Sequence, residues 1–270
     1  MKLTFIFLML FFSINLYAFT LNNSFEAKFE EDEVVVNVAD NTCENIGYTN
    51  QDILDMLDDA LNDYWNSVPT SSLRLKKGNL VRVDDAFHDE SLCLDNPITA
   101  SCQSINPNLK VSKNILIACN GNTTFFTNPG ILGTTIISSY SVSKNRIYGA
   151  LFLVNDIVGS AVKNQERADM VAYLAHEIGH AIGLGHSPVK DSLMYYSTVE
   201  RRKSLGYDDI DGVTYLYPIE QPFACGSLSF NSQEKNKNGN SEILSLALGV
   251  LAILIVGKLK LSLKQPIGPK

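Results

Sequence analysis

The chain has 270 residues, of which 45% are hydrophobic and 19% charged, and its formal net charge is −7. That length suits one domain of roughly 150–200 residues with short appendages, large enough to bury a core without staples. The acidic balance excludes the basic face that nucleic acid demands, so no nucleic-acid partner is expected.

Residues 1–18 read as a secretory signal. Lys2 gives a positive start, Leu3 to Phe12 is apolar apart from Thr4, and Ala18 offers a small residue for cleavage. The apolar run is short for a membrane span, so the chain is expected to be exported: secreted, periplasmic or at the cell surface. Glu33 to Val38 is a β-branched run and reads as a strand. Thr49 then caps a helix in which Ile53, Leu57, Leu61 and Tyr64 recur at near-helical spacing, and Pro69 stops it. Trp65, near its end, reads as core packing. Leu80 to Val83 and Ile115 to Cys119 read as short strands, separated by a polar loop at about 86–112 that carries His88, Cys93 and Cys102. His88 has no assigned task.

Five cysteines, Cys43, Cys93, Cys102, Cys119 and Cys225, read as bridged rather than free in an exported chain. Cys93 and Cys102 are the favoured pair, and the odd count leaves one unpaired or joined to another chain. No C-x-x-C pair supports zinc ligation by these residues.

Ile131 to Val142 and Arg146 to Asn155 are the next strands, joined by a turn at Ser143-Lys144-Asn145. A second long helix is expected from about Gln165 to Ile182, with Met170, Leu174, Ile178 and Ile182 facing the core and Gly183 as its stop. The catalytic domain is placed at 19–222 and a flexible linker at 223–242, where Asn231 to Ser241 is Asn, Lys, Gly and Ser. Ile243 to Gly257 carries no charge, and Leu259, Leu261 and Leu263 extend the apolar stretch if Lys258 and Lys260 snorkel. Segment 243–270 therefore reads as a membrane anchor or sorting tail with a basic end, with a terminal helix packed on the domain as the alternative.

The segment that carries chemistry is His176-Glu177-Ile178-Gly179-His180-Ala181-Ile182-Gly183-Leu184-Gly185-His186. Residues four apart share a helix face, so His176 and His180 can address one ion. Gly183 permits a sharp turn that brings His186 back to complete the set. Three neutral imidazoles leave a fourth zinc position open for water, the mark of a catalytic site. In such a site the metal acidifies water, and Glu177 is the general base that takes its proton and passes it to the leaving amine. One catalytic Zn²⁺ is expected. His186 is followed by Met194 within Ser192-Leu193-Met194-Tyr195-Tyr196; taken alone, Met194 is core filler.

Together, HEIGHAIGLGH and SLMY resemble the metzincin signature with its methionine turn. The spacing of eight residues to Met194, and Ser187 directly after the third histidine, look most like the matrixin branch, the matrix metalloproteinases. Asp208 to Tyr217 resembles the closing helix of those domains and Ala60 to Trp65 their first, so the resemblance covers about 32–218. It implies an α+β zincin (metzincin) fold: a twisted mixed five-stranded sheet with one antiparallel edge strand, at 131–139, and three helices. It implies a Met194 turn as a hydrophobic floor under the zinc, and a wall beyond Tyr195 shaping the pocket for the side chain after the cut bond. The substrate would be an extended polypeptide.

The chain departs from that family in several places. The second, structural zinc of matrix metalloproteinases needs further histidines, and only His88 lies outside the motif, so that ion is not expected. Calcium loops are not recognisable and calcium is left open. A pro-segment with an inhibitory Cys is absent from the expected mature chain, and disulfides are expected to stand in for the metal staples. Tyr196 stands where matrixins usually carry Pro. It reads first as a pocket-wall tyrosine, with stabilisation of the developing oxyanion as the alternative. Asp208 and Asp209 read as acidic residues that offset a helix dipole. The leading function is a zinc metalloendopeptidase acting on exported or external proteins. The alternatives are a surface-anchored zincin-like binding module and a metallohydrolase of small amides. The sequence sets no oligomeric state.

Overall fold

The computed structural model describes residues 19–22, 26–31, 33–94, 104–197 and 204–219. The expected signal at 1–18, Cys102, Cys225, the linker at 223–242 and the tail at 243–270 lie outside the described residues. Among the described residues, no helix is long and apolar enough to cross a membrane.

The strands are β1 (Lys28–Phe29), β2 (Glu33–Ala39), β3 (Arg74–Val81), β4 (Asn114–Asn120), β5 (Gly133–Ser141) and β6 (Arg146–Asn155). The helices are α1 (Asn50–Asp59), α2 (Ala86–Asp89), α3 (Arg167–Ala181) and α4 (Tyr207–Leu216). β3, β2, β4 and β6 run side by side and parallel. β5 returns along the far side of β6 in antiparallel register, with Thr135 opposite Phe152. β1 pairs in parallel with Arg146 and Ile147 at the start of β6. Because β5 already occupies one edge of those residues, β1 shares the β4 edge. The sheet thus has six strands where five were expected; two-residue β1 is too short to leave a periodic signal.

β4 and β6 are buried on both faces, so they read as continuous apolar runs. Alternate residues feed two cores. Ile115, Ile117, Ala150, Phe152 and Val154 join α1 and α3 on one face. Leu116, Ala118, Leu151 and Leu153 meet Phe87, Leu92, Leu109 and Phe126 on the other. The polar-looking loop at 86–112 is therefore anchored by a few apolar residues that close the second face. β3 starts at Arg74, earlier than expected from Leu80–Val83. It is the outer strand beyond β2, where exposed Lys76 and Lys77 cost nothing and no alternation is imposed.

α1 opens with a capping box: Asp52 N donates to Thr49 Oγ1 at 3.1 Å, and Thr49 N donates to Asp52 Oδ2 at 2.8 Å. Its continuation widens into a π turn at Ala60–Tyr64, then tightens at Trp65–Ser67. Buried Trp65 lies there and its Nε1 donates to the Ala175 carbonyl of α3 at 2.8 Å. α2 is a single extra turn beyond the three helices expected.

Two polar devices tie the loops together. Cys43 and Cys119 form a disulfide across 76 residues. The pairing was not expected; it arises because β2 and β4 are parallel neighbours, which brings Cys43, just past the end of β2, beside Cys119 near the end of β4. Cys93 is disulfide-bonded as well. The second device centres on Asp156, fully buried after β6. Its carboxylate accepts from the backbone N–H groups of Glu44, Asn45 and Ile46 at 3.0, 2.8 and 3.1 Å. His88, which the sequence left without a task, bridges to it: Nε2 lies 3.3 Å from Asp156 and Nδ1 lies 2.7 Å from Asp89.

Replacing Cys43 and Cys119 by serine is expected to lower unfolding free energy by about 2–4 kcal/mol, through loss of the long loop constraint; urea titration measures it. His88 adds stability with a defined pH sign. Burial lowers its pKa, but hydrogen bonds and charge from Asp89 and Asp156 outweigh burial and raise it. A raised folded pKa means the contribution is fully present below the unfolded value and fades as pH rises through the folded one. The stability gap between the unaltered chain and His88→Ala should therefore be widest below the ordinary histidine value of 6.5 and narrow as pH rises above it.

Candidate metal centre

α3 packs Met170, Leu174 and Ile178 into the core, which turns the opposite side of its last turns toward a surface cleft. His176 and His180 stand one turn apart there. Helix α3 ends at Ala181 and the chain reverses at Gly183, whose φ is +112°. A Cβ at Gly183 would meet the Ala27 carbonyl oxygen at 2.6 Å, so both conformation and space call for glycine. The reversal returns His186 to its partners. Ring centroids are 4.9 Å apart for His176 and His180, 5.5 Å for His176 and His186, and 4.6 Å for His180 and His186. One ligand nitrogen from each ring lies within 4.8 Å of the others. Among the described residues this is the one such cluster of His, Cys, Asp and Glu groups.

The donor set fits zinc. His176 Nδ1 lies 2.7 Å from the Leu193 carbonyl and His180 Nδ1 lies 2.9 Å from the Leu184 carbonyl. A carbonyl only accepts, so each Nδ1 carries the hydrogen and each Nε2 presents a bare lone pair. Nε2 of His180 and Nε2 of His186 are 3.2 Å apart. Tetrahedral bonds of about 2.0–2.1 Å place two nitrogen ligands roughly 3.3 Å apart. Burial lowers the pKa of His176 and of His180 to about 4, with repulsion from neighbouring histidines adding to it. Both rings are therefore neutral ligands at physiological pH.

Glu177 is buried beside the cluster, and Thr135 Oγ1 of β5 donates to its Oε2 at 2.7 Å. Burial raises the pKa of this carboxyl, against the opposing pull of His176, Thr135 and His186. Glu177 borders two cavities. One of about 660 Å³ is lined by Thr20–Asn22, Gly133–Thr135, Glu177, His180, Gly185 and His186. The other, about 350 Å³, lies against Ile131–Gly133, Tyr173, His176 and Tyr196. Tyr196 stands at that second wall with 64% of its surface exposed.

Beneath the histidines, Ser187 N donates to the Met194 carbonyl at 2.6 Å and Tyr196 N to the Ser187 carbonyl at 3.2 Å, closing a tight turn around buried Met194. A Cβ at Gly179 would sit 2.4 Å from Met194 Sδ and 2.7 Å from the Trp65 ring, so α3 reaches the turn only because that residue is glycine. Asp209 holds the turn from behind. Its carboxylate accepts from Ser192 Oγ at 2.5 Å, Leu193 N at 2.6 Å, Met194 N at 3.1 Å and Gly206 N at 2.8 Å. Leu193 is the residue whose carbonyl orients His176. Asp209 thus does more than offset the α4 dipole: it supports a ligand through one intervening residue. No local pattern signals this, because the partners in the turn lie 15, 16 and 17 residues away. Also unforeseen is the segment at 19–22. Asn22 N donates to Gly183 O at 2.8 Å, Gly185 N to Thr20 O at 2.8 Å, and Asn22 Nδ2 to His180 O at 3.0 Å.

The family profile described as matrixin matches residues 20–218. The chain belongs to the matrixin family. This is a family of zinc metalloendopeptidases, and the matched region is its catalytic domain. Metalloendoproteinase 4-MMP of Arabidopsis thaliana is 39% identical over 85 residues, which cover 31% of this chain and 25% of that protein. Metalloendoproteinase 1-MMP of the same plant is 33% identical over 116 residues, 41% of this chain and 30% of that one. Stromelysin-2 of Rattus norvegicus is 49% identical over 47 residues, covering 16% and 10%. This matrixin therefore matches about a quarter of the length of the plant relatives.

Replacing Asp209 by alanine strands several buried donors. It is expected to cost about 2–4 kcal/mol in urea unfolding. The same variant should lose zinc to a competing chelator sooner than the unaltered chain.

Proposed function

We propose that this matrixin is an active zinc endopeptidase that cuts exported or extracellular polypeptides, with one catalytic ion held by His176, His180 and His186. The observation that carries the proposal is a buried carboxylate, Glu177, beside three imidazoles whose ligand nitrogens converge. When bound, the zinc acidifies water and polarises the scissile carbonyl. Glu177 is the general base: it takes the proton from the attacking water and delivers it to the leaving nitrogen.

β5 supplies the binding surface. It is an antiparallel edge strand with β6 on one side, and its residues Gly133–Thr135 line the larger cavity. An extended peptide can add alongside it by backbone hydrogen bonds. The side chain that follows the cut bond would enter the smaller cavity, where Tyr196 is a wall residue. Met194 is the apolar floor below the ion, and Gly183 is the turn that delivers the third ligand. The catalytic unit is assigned to 19–222, preceded by an export signal at 1–18 and followed by a linker and an apolar tail that anchors or sorts the protein. Retention of Glu177 weighs against a binding module without turnover.

The purified chain incubated with casein should release fragments, and a zinc chelator should stop it. Glu177→Ala should lower turnover by about 10³-fold or more while zinc content stays at one ion per chain. Fragments equally abundant with Glu177→Ala would remove the mechanism, and intact casein in every tube would remove the activity.

A further inference from the structure

The Glu177 carboxylate needs an orientation as well as a charge. The terminal torsion of a glutamate is broad and roughly two-fold, so an unheld carboxylate turns freely and offers either oxygen in many directions. Thr135 fixes it: Oγ1 donates to Oε2 at 2.7 Å. The strand explains how. Along β5, Gly133, Thr135 and Ile137 fall on one face, and Ile137 packs into the core that contains α3. Ile136 falls on the other face and packs into the second core. Thr135 therefore points at α3, where packing alone would take valine, a near-isostere that lacks only the hydroxyl. Its β-branched side chain is stiff at χ1, which fixes the donor in place. A second hydroxyl nearby, the buried Tyr173 Oη one turn before Glu177 on the same helix, makes no hydrogen bond. Among the described residues Thr135 is the hydrogen-bond donor on this carboxylate.

We propose that Thr135 is a positioning residue. Its hydroxyl fixes the plane of the Glu177 carboxylate, reserving Oε1 for the attacking water, and it does so from the strand on which the substrate lies. Registry of the substrate and aim of the base are thereby set by one element. The inference rests on the endopeptidase reading above, and it extends that reading to a residue outside the zinc-binding motif.

The test uses the full zinc-loaded chain on an internally quenched peptide that the unaltered chain cleaves, with Thr135→Val, Thr135→Ser and Thr135→Ala. A charge-assisted hydrogen bond of this kind corresponds to a loss of about 10- to 100-fold. Thr135→Val should lower kcat by that factor, with KM within about twofold, and with zinc content and thermal midpoint unchanged. Thr135→Ser keeps the hydroxyl and should keep kcat within about threefold. If valine destabilises the chain, the alanine and serine variants give the same comparison. Full kcat in Thr135→Val, or a serine variant as slow as valine, overturns the proposal. An unaltered chain that cleaves no peptide overturns the endopeptidase reading itself, a separate result, and takes this one with it.

Discussion

The site depends on a conflict between burial and charge. Three imidazoles this close cannot all be protonated without repelling one another; His186 is exposed, while burial together with that repulsion lowers the pKa of His176 and of His180 to about 4. His176 and His180 are neutral rings with fixed tautomers because backbone carbonyls take their Nδ1 hydrogens. Orientation of those carbonyls then becomes the true constraint. One belongs to the turn after α3. The other belongs to the methionine turn, which is held in shape by a carboxylate from α4. The metal corner is thus specified by three separate parts of the chain.

Much of this was readable beforehand, for identifiable reasons. The 3.6-residue period of α3 placed His176 and His180 on one side, and a glycine at 183 accounted for the return of His186. Strands β2, β4 and β6 announced themselves through β-branched and apolar runs, because sheet interiors admit little else. What escaped notice was long-range or weakly patterned. β3 is an outer strand, so solvent rather than packing chose its side chains. Asp209 looked like a residue answering a helix dipole; its role depends on a turn that folds back on it. The Cys43–Cys119 bridge joins positions that become neighbours only through parallel pairing of β2 with β4.

The second face of the sheet shows how a loop can replace regular structure. Phe87, Leu92, Leu109 and Phe126 cover β4 and β6 without a long helix. The loops of this cover carry backbone hydrogen bonds of their own, such as Asn106 N to Leu92 O at 2.8 Å and Gly121 N to His88 O at 2.9 Å, and side chains add further anchorage. Asp156 spends its buried carboxylate on three consecutive amides and on His88. A charge of this kind is costly to bury alone and rigidifying once fully partnered. Through His88, Asp156 ties the single turn α2, which carries Phe87, to the loop at 44–46.

The pairing of residues 20–22 with the backbone at 183–185 places the opening of the domain inside the machinery it precedes. Thr20 and Asn22 are wall as well as beginning. Thr20, Leu21 and Asn22 line the larger cavity together with Glu177, His180 and His186. A substitution at 20–22 therefore bears on the cavity beside the histidines and, at the same time, on the backbone that turns His186 back toward them.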